Sequence, residues 1–426
     1  MAPITDHPLR YELANELHAR PFPALRAPCR AAYLAIKRPE NAASRDRAED
    51  MTHLIALLDR YGAPHPQPGA THYFGEIGKH RLKWESHTEF VTYTVFADGV
   101  ADKPYDAETF AMFPDEWLAA APGVRMTSAL IRVEEQAPGQ EIATCLEKWL
   151  VPESTAVSEI IDGNAIIAGD FRIDVAGHMR FAVFTKPGIG ERRTGRIVQR
   201  LCEIETYKSM SMLGLQRARD IQRRITPLEQ NLTAAVREMT AQTERPGETL
   251  ERLLSIAAEL ENMLAQSSFR FGATGAYGAL VAQRIEALRE ERHQGRQTFT
   301  EFMNRRYEPA MRTVQAAETQ LATLAQRAMR AADLLRTRVD VDRSAENQKL
   351  LESMNRRADL QLRLQRTVEG LSVVAISYYA VNLATYVLGP VGQEIGVSRL
   401  VMTALITPLV IMGVWAVVRR IRKVVD

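Results

Sequence analysis

The sequence contains few cysteines and none of the short motifs that mark the common enzyme classes. Its three cysteines include no Cys-x-x-Cys pair, which argues for a reducing compartment and against a structural zinc site. No Gly-x-Ser-x-Gly, P-loop or dinucleotide-binding glycine pattern is present. The sequence therefore leaves any cofactor unknown, and it favours a protein that is not an enzyme.

An excess of charge of either sign is also absent. The 54 Lys and Arg residues nearly balance the 52 Asp and Glu residues, so no nucleic acid is expected as a partner. Residues 1–22 lack the apolar stretch of a signal peptide, and no cleaved leader is expected.

Long uncharged apolar runs occur only near the end of the chain. Residues 371–389 and 400–418 contain no Asp, Glu, Lys or Arg. As a helix each run would be about 28 Å long, which is enough to cross the hydrocarbon core of a bilayer. Residues 390–399 between them are too few for anything but a turn at the membrane face. We predict a two-helix transmembrane hairpin over residues 367–426.

The charges around this hairpin predict its orientation. Basic residues flank both of its outer ends: Arg356, Arg357, Arg363 and Arg366 before it, and Arg419, Arg420, Arg422 and Lys423 after it. Because cytoplasmic flanks are enriched in Lys and Arg, both termini are expected in the cytoplasm and the protein in a bacterial inner membrane. Glu394 would then lie in the outer loop, either solvated or collecting cations at a pore mouth.

Three polar residues lie on one face of the first apolar run. Tyr378, Asn382 and Thr385 recur at helical spacing, and polar side chains are costly in lipid unless they meet a partner or water. The favoured interpretation is a contact between copies of the chain, which predicts a homo-oligomer. The alternatives are a permeation path and a contact inside the hairpin.

The first part of the chain, residues 1–188, predicts an α+β domain with a largely antiparallel sheet. Its strongest strand signal is at residues 80–96, where Leu82, Trp84 and Phe90 alternate with charged residues. Residues 157–184 contain short apolar runs separated by turn residues and predict a β-meander.

The predicted strand at 80–96 also carries the only grouping that suggests chemistry in this domain. Alternation would place Glu85, His87 and Glu89 on one face, and a histidine between two carboxylates suits a divalent cation or a general base. His18 and Arg20 would join them if the N-terminal helix packed there. The favoured alternative is a solvated polar strand face.

Residues 189–366 predict long helices with a composition typical of coiled coils. Pro227 and Pro246 are expected to separate helices. The pattern Gly272, Gly275 and Gly278 predicts a tight turn between two helices. The last helix of this region, 344–366, is expected to continue directly into the first apolar run.

The chain resembles a bacterial family of uncharacterised membrane-anchored proteins over nearly its full length. Four segments carry this resemblance: HPLRYELANELHARPF, KWESHTEF, RLCEIETYKSMSMLGL and RTVEGLSVVAISYYAVNL. The resemblance implies attachment to a membrane and no particular activity.

The order of the segments is also similar to that of CorA-type magnesium channels. Those proteins have a cytosolic α/β domain, a long helix continuous with the first span, a short outer loop, a second span and a basic tail. Residues 371–375 (LSVVA) are similar to the start of their first span. Their Gly-Met-Asn signature is missing, since residues 386–390 read YVLGP.

Two functions of different classes follow. The first is a membrane-anchored, homo-oligomeric scaffold or sensor with the lipid bilayer and its own copies as partners. The second is a CorA-like cation channel in which Tyr378, Asn382 and Thr385 line the path. A third and weaker hypothesis is an enzyme that uses His87 with Glu85 or Glu89.

Overall fold

The fold is that of a computed structural model, which describes residues 4–16, 22–137, 141–241, 246–394 and 398–425. It confirms the predicted fold class: an α+β region with a mostly antiparallel sheet, then long helices, then a pair of apolar helices at the end of the chain.

The sheet has nine strands in the order β2-β3-β4-β1-β5-β8-β7-β6-β9. Every pair of neighbours is antiparallel except β5 and β8. The strands are β1 Cys29–Lys37, β2 His72–Ile77, β3 His80–Ser86, β4 Phe90–Asp98, β5 Val124–Glu135, β6 Ala156–Ile160, β7 Ala165–Gly169, β8 Met179–Thr185 and β9 Glu291–Arg292.

Three of the helices are very long. The helices are α1 Arg10–Glu16, α2 Arg47–Tyr61, α3 Asp115–Ala119, α4 Ile142–Trp149, α5 Glu191–Thr240, α6 Pro246–Glu286, α7 Phe299–Arg306, α8 Glu308–Glu394 and α9 Arg399–Val425. Short 3-10 helices at Ala42–Ser44, Ala107–Met112 and Pro152–Ser154 complete the described secondary structure.

Both faces of the sheet are covered, because successive residues of a strand point to opposite sides. On one face, Tyr33 and Ile131 belong to a buried cluster with Leu201 of α5 and Phe299 of α7. On the other face, β-strand residues pack against α2 and α3, and α4 covers the end formed by β6, β7 and β8. The sheet is therefore the middle layer of three.

The predicted single strand at 80–96 is wrong. A tight turn at residues 87–89 divides it into β3 and β4, which pair antiparallel with Ser86 opposite Val91. Leu82 and Trp84 belong to the core between the sheet and α2, as expected, but the turn moves Phe90 away from that cluster. Residues 171–175, which lie within the predicted β-meander at 157–184, form no strand.

The predicted separation of two helices at Pro246 is confirmed, because α6 starts there, but the ends predicted at Pro227 and at the three glycines are wrong. α5 continues through Pro227, and Gly272, Gly275 and Gly278 all lie inside α6. α8 is continuous from Glu308 to Glu394, without the expected break before residue 344. A proline removes one backbone hydrogen bond, and packing along the rest of a long helix can offset that loss.

Side-chain hydrogen bonds join α5 to α6 and to the first part of α8. Arg217 Nε donates to Ser267 Oγ across α5 and α6 at 3.0 Å, and Gln320 Nε2 of α8 donates to Glu229 of α5 at 3.4 Å. Gly214 lets α5 approach α6, because a Cβ there would lie 2.9 Å from the Cβ of Thr274. These contacts form a helical bundle beside the sheet.

The chain divides into two compact units. The first comprises Met1–Thr243 and Glu251–Ala332, and the second comprises Glu244–Leu250 and Asp333–Asp426. The first unit thus contains the sheet together with α5 and most of α6. The division into residues 1–188, 189–366 and 367–426 stays a prediction.

The second unit contains the pair of apolar helices. α8 and α9 are each long and apolar enough to cross a membrane. Ser377 and Thr385 are the buried polar residues of the apolar part of α8. Their small side chains suit close packing of two helices. Residues 390–394 and Arg399, which were expected in a loop, are helical, because α8 runs to Glu394 and α9 starts at Arg399.

Candidate functional site

The turn between β3 and β4 is held by one buried arginine. The Arg45 side chain is 2% exposed and its Nε donates to Asp50 Oδ2 at 2.7 Å. Its Nη2 donates to the backbone oxygens of His87 at 2.7 Å and Phe90 at 3.1 Å, and Nη1 donates to that of Thr88. Arg45 therefore sets the backbone path that directs His87 and Phe90.

A cavity of about 460 Å³ lies between the sheet and the helices α5 and α6. The sheet contributes residues of β1, β3 and β4, including Phe90 at the start of β4, and the turn contributes His87. Those two rings stack at a centroid distance of 4.4 Å. The cavity belongs to the size class that takes small molecules.

Strand register arranges the polar wall of this cavity in two rows. Lys83, Thr94 and Tyr33 lie opposite one another across β3, β4 and β1, and Glu85 lies opposite Thr92 in the next row. All five line the cavity. Leu82 and Trp84 occupy the opposite face of β3. Alternation along this strand therefore places the side chains of Lys83 and Glu85 on the face toward α5.

A hydrogen-bonded chain of side chains crosses the cavity from the sheet to α6. Lys83 Nζ lies 3.0 Å from Glu85 Oε2 and donates to Gln199 Oε1 at 2.8 Å. Gln199 Nε2 donates to Glu203 Oε1 at 2.7 Å, and Arg284 forms an ion pair with Glu203. The chain alternates cations with carboxylates, so the wall offers both charges to a ligand.

Two further groups in this cavity keep their protons. Burial raises the pKa of the Tyr33 hydroxyl well above its usual value, and burial likewise raises the pKa of the Cys202 thiol. The Tyr33 hydroxyl is hydrogen-bonded to that of Thr206. A protonated thiol is a poor nucleophile and metal ligand, so Cys202 is not expected to be reactive in this wall.

The structure brings together some of the predicted site residues and separates others. Glu85 and His87 line the same cavity. Glu89 lies outside it, where it is 1% exposed and forms an ion pair with Arg270 of α6. The common face predicted for Glu85, His87 and Glu89 is therefore wrong, because the turn at 87–89 reverses the chain.

The prediction also included two N-terminal residues and a bound cation. His18 and Arg20 lie outside the described residues. Among the residues that are described, no group of three or more His, Cys, Asp or Glu side chains could hold a metal ion. The helix residues Gln199, Glu203 and Arg284 were not predicted, and the only sequence signal for them is the cluster of charges after residue 190.

The three polar residues predicted to share one face of the first apolar run differ in their exposure. Tyr378 is 67% exposed and Asn382 is exposed, whereas Thr385 is buried, its hydroxyl donating to the Val381 oxygen at 2.8 Å. Glu394 is the last residue of α8. Only Tyr378 and Asn382 of the predicted face are thus available to a partner outside the helix pair.

Comparison with known proteins identifies the family but no characterised relative. No curated protein and no solved structure matches the chain. The model of the family described as "Protein of unknown function (DUF3422)" matches residues 5–425, so the resemblance to an uncharacterised family is confirmed and the chain belongs to that family.

Proposed function

We propose that this protein is a membrane-anchored sensor whose cavity between the sheet and α5 binds a small zwitterion. The observation that carries this proposal is the charged chain across the cavity from Glu85 through Lys83 and Gln199 to Glu203 and Arg284. Ligand cavities usually combine apolar walls with a few placed polar groups, and Phe90 and Phe96 supply the apolar part here.

The size and charges of the cavity support an amino-acid-like ligand. Lys83 and Arg284 can hold a carboxylate, and Glu85 and Glu203 can hold an ammonium group. Each of these ions already has an opposite charge beside it. A ligand with both charges can replace parts of these pairs without leaving a buried ion uncompensated.

Thermal unfolding of the full-length protein in detergent tests this ligand class. We expect at least one of the twenty L-amino acids, at millimolar concentration, to raise the unfolding temperature by about 2 °C or more. Its N-acetyl and amide derivatives, which each lose one charge, should give no shift. Lys83→Met should abolish the shift, and the exposed Lys148→Met should keep it.

Either of two results would contradict the proposed zwitterionic ligand. If no amino acid shifts the unfolding temperature of the wild-type protein, the zwitterion is wrong. The same conclusion follows if Lys83→Met responds as the wild type does.

Anchoring in a membrane rests on the apolar helices. α8 and α9 have the length and composition of spans, and arginines precede and follow them. By the enrichment of Lys and Arg on cytoplasmic flanks, we place both termini in the cytoplasm of a bacterium and the protein in its inner membrane, with lipid as a partner.

Self-association through α8 is part of the proposal. Tyr378 and Asn382 are exposed in the apolar part of α8, where lipid offers no hydrogen-bond partner. Contact with the same face of another copy would supply one. A CorA-like channel is the second candidate, because the same two residues could instead line a hydrated path with a divalent cation as its cargo.

Asn382→Leu separates these two candidates. If Asn382 joins copies, we expect the substitution to weaken association by about 1 kcal/mol per contact, seen as a lower mass by analytical ultracentrifugation in detergent, with cation flux into proteoliposomes unchanged. The control is Asn355→Leu, an exposed position of α8 outside the apolar run. A change in flux without a change in mass would support the channel and reject the contact between copies.

A further inference from the structure

A second cavity has Glu89 of the β3–β4 turn in its wall. Its volume is about 370 Å³, and its walls are the end of β1, the residues around the 3-10 helix at Ala42–Ser44, and α6. The charged residues in these walls are Lys37, Glu89 and Arg270. It shares no lining residue with the larger cavity.

The charges in this cavity do not balance. Lys37 and Arg270 have side chains that are 7% and 18% exposed, and the single carboxylate is that of Glu89. Glu89 is already engaged: Arg270 contacts both of its oxygens, and the Tyr277 hydroxyl donates to Oε1 at 3.2 Å. One positive charge therefore remains in excess.

That excess charge is on the ammonium group of Lys37. Its Nζ lies 3.8 Å from Glu89 Oε2, which is beyond hydrogen-bond distance, and it donates to the Arg38 backbone oxygen at 3.0 Å. An ammonium group has three donors, so two of them have no acceptor at that distance among the described residues. The nearby Arg45 adds a further positive charge, and its own ion-pair partner is Asp50.

The surroundings of Lys37 oppose its charge. Burial lowers the pKa of Lys37, and Arg270 and Arg45 lower it further, whereas Glu89 raises it. A buried ion without full compensation is costly. An anion with several acceptor oxygens would restore the balance and satisfy the remaining donors of Lys37.

We propose that this cavity binds a small oxyanion, a carboxylate or a phosphate group, held by Lys37 and Arg270. Charge-assisted hydrogen bonds from a lysine and an arginine are the usual way in which proteins hold such groups. Ala42, Ala43 and Phe269 in the same walls leave room for an apolar substituent on the anion. This site does not depend on the sensor proposed for the larger cavity.

Calorimetric titration of the full-length protein in detergent tests the site. The probes are inorganic phosphate and acetate, in a buffer of low ionic strength, and they distinguish the two sources of the oxyanion. We expect saturable binding of at least one probe, weakened at least tenfold by Lys37→Met and unchanged by Lys186→Met at an exposed position. Lys37→Met leaves the pair between Glu89 and Arg270 intact, so it is expected to fold.

A labelling experiment keeps the proposal testable if that variant does not fold. Acetic anhydride should acetylate Lys37 of the wild-type protein more slowly when the bound probe is present, as measured by mass spectrometry, while Lys186 reacts at the same rate. The proposal is overturned if neither probe binds, if Lys37→Met binds as tightly as the wild type, or if the bound probe gives Lys37 no protection.

Discussion

Arg45→Met is expected to lower the free energy of unfolding by about 3–5 kcal/mol, the range for breaking a buried ion pair by removing one partner. The side chains of Arg45 and Asp50 are 2% and 5% exposed, so water cannot solvate the Asp50 carboxylate that remains. The backbone oxygens of His87 and Thr88 lose their Arg45 donors as well, whereas the Phe90 oxygen keeps the N–H of His87 at 2.9 Å. The measurement is the unfolding midpoint in denaturant of the full-length protein in detergent.

The matched control is Arg60→Met. The pair between Arg60 and Glu116 is solvated, with side chains 52% and 89% exposed, and pairs of this kind contribute about 0–1 kcal/mol. An equal loss for the two substitutions would show that Arg45 does not hold the turn. Because the turn directs His87 and Phe90 into the larger cavity, Arg45→Met should also reduce the ligand-induced thermal shift where it still folds.

Gly195→Ala is expected to destabilise the protein by about 1–3 kcal/mol or more, the cost of forcing extra volume into a packed site. The added Cβ would lie 2.7 Å from the carbonyl carbon of Pro23 and closer still to its oxygen. That oxygen belongs to backbone and cannot swing aside. The segment at Pro23 is fixed, since Leu25 is 1% exposed and its N–H donates to the Glu191 oxygen at 3.0 Å.

Gly272→Ala is the control for Gly195→Ala. Gly272 lies inside α6, and beyond its chain neighbours and the local helix backbone no atom lies within 4 Å of the position that a Cβ would take there. Replacing such a glycine by alanine should stabilise the helix by about 0.5–1 kcal/mol. The two substitutions thus have opposite expected signs in thermal unfolding. Equal signs would mean that Pro23 does not pack against α5 in the folded protein.

The local sequence pattern could predict the sheet but not the turn between β3 and β4. Leu82 and Trp84 alternate with charged residues, and they do lie in the core. The turn at 87–89 was missed because its residues, His87, Thr88 and Glu89, include no glycine, proline or asparagine. Its conformation depends on Arg45, which lies more than 40 residues earlier in the chain, and no local window contains that information.

Three helix residues of the candidate site could not be predicted from the sequence either. Glu85 and His87 could be found from the sequence because both follow a clear strand pattern. Gln199, Glu203 and Arg284 come from two long helices whose surfaces carry many other charges. Which of these charges faces the sheet depends on how the helices pack, and helical periodicity alone does not settle that rotation.

The edges of the sheet have a consequence for aggregation. An edge strand with free backbone groups is a template for a strand from another molecule. At one edge β9 has two residues, Glu291 and Arg292, both exposed and charged. At the other edge β2 is six residues long and contains Glu76. Short or charged edges disfavour strand addition, so growth of the sheet from chain to chain is disfavoured at both of its edges.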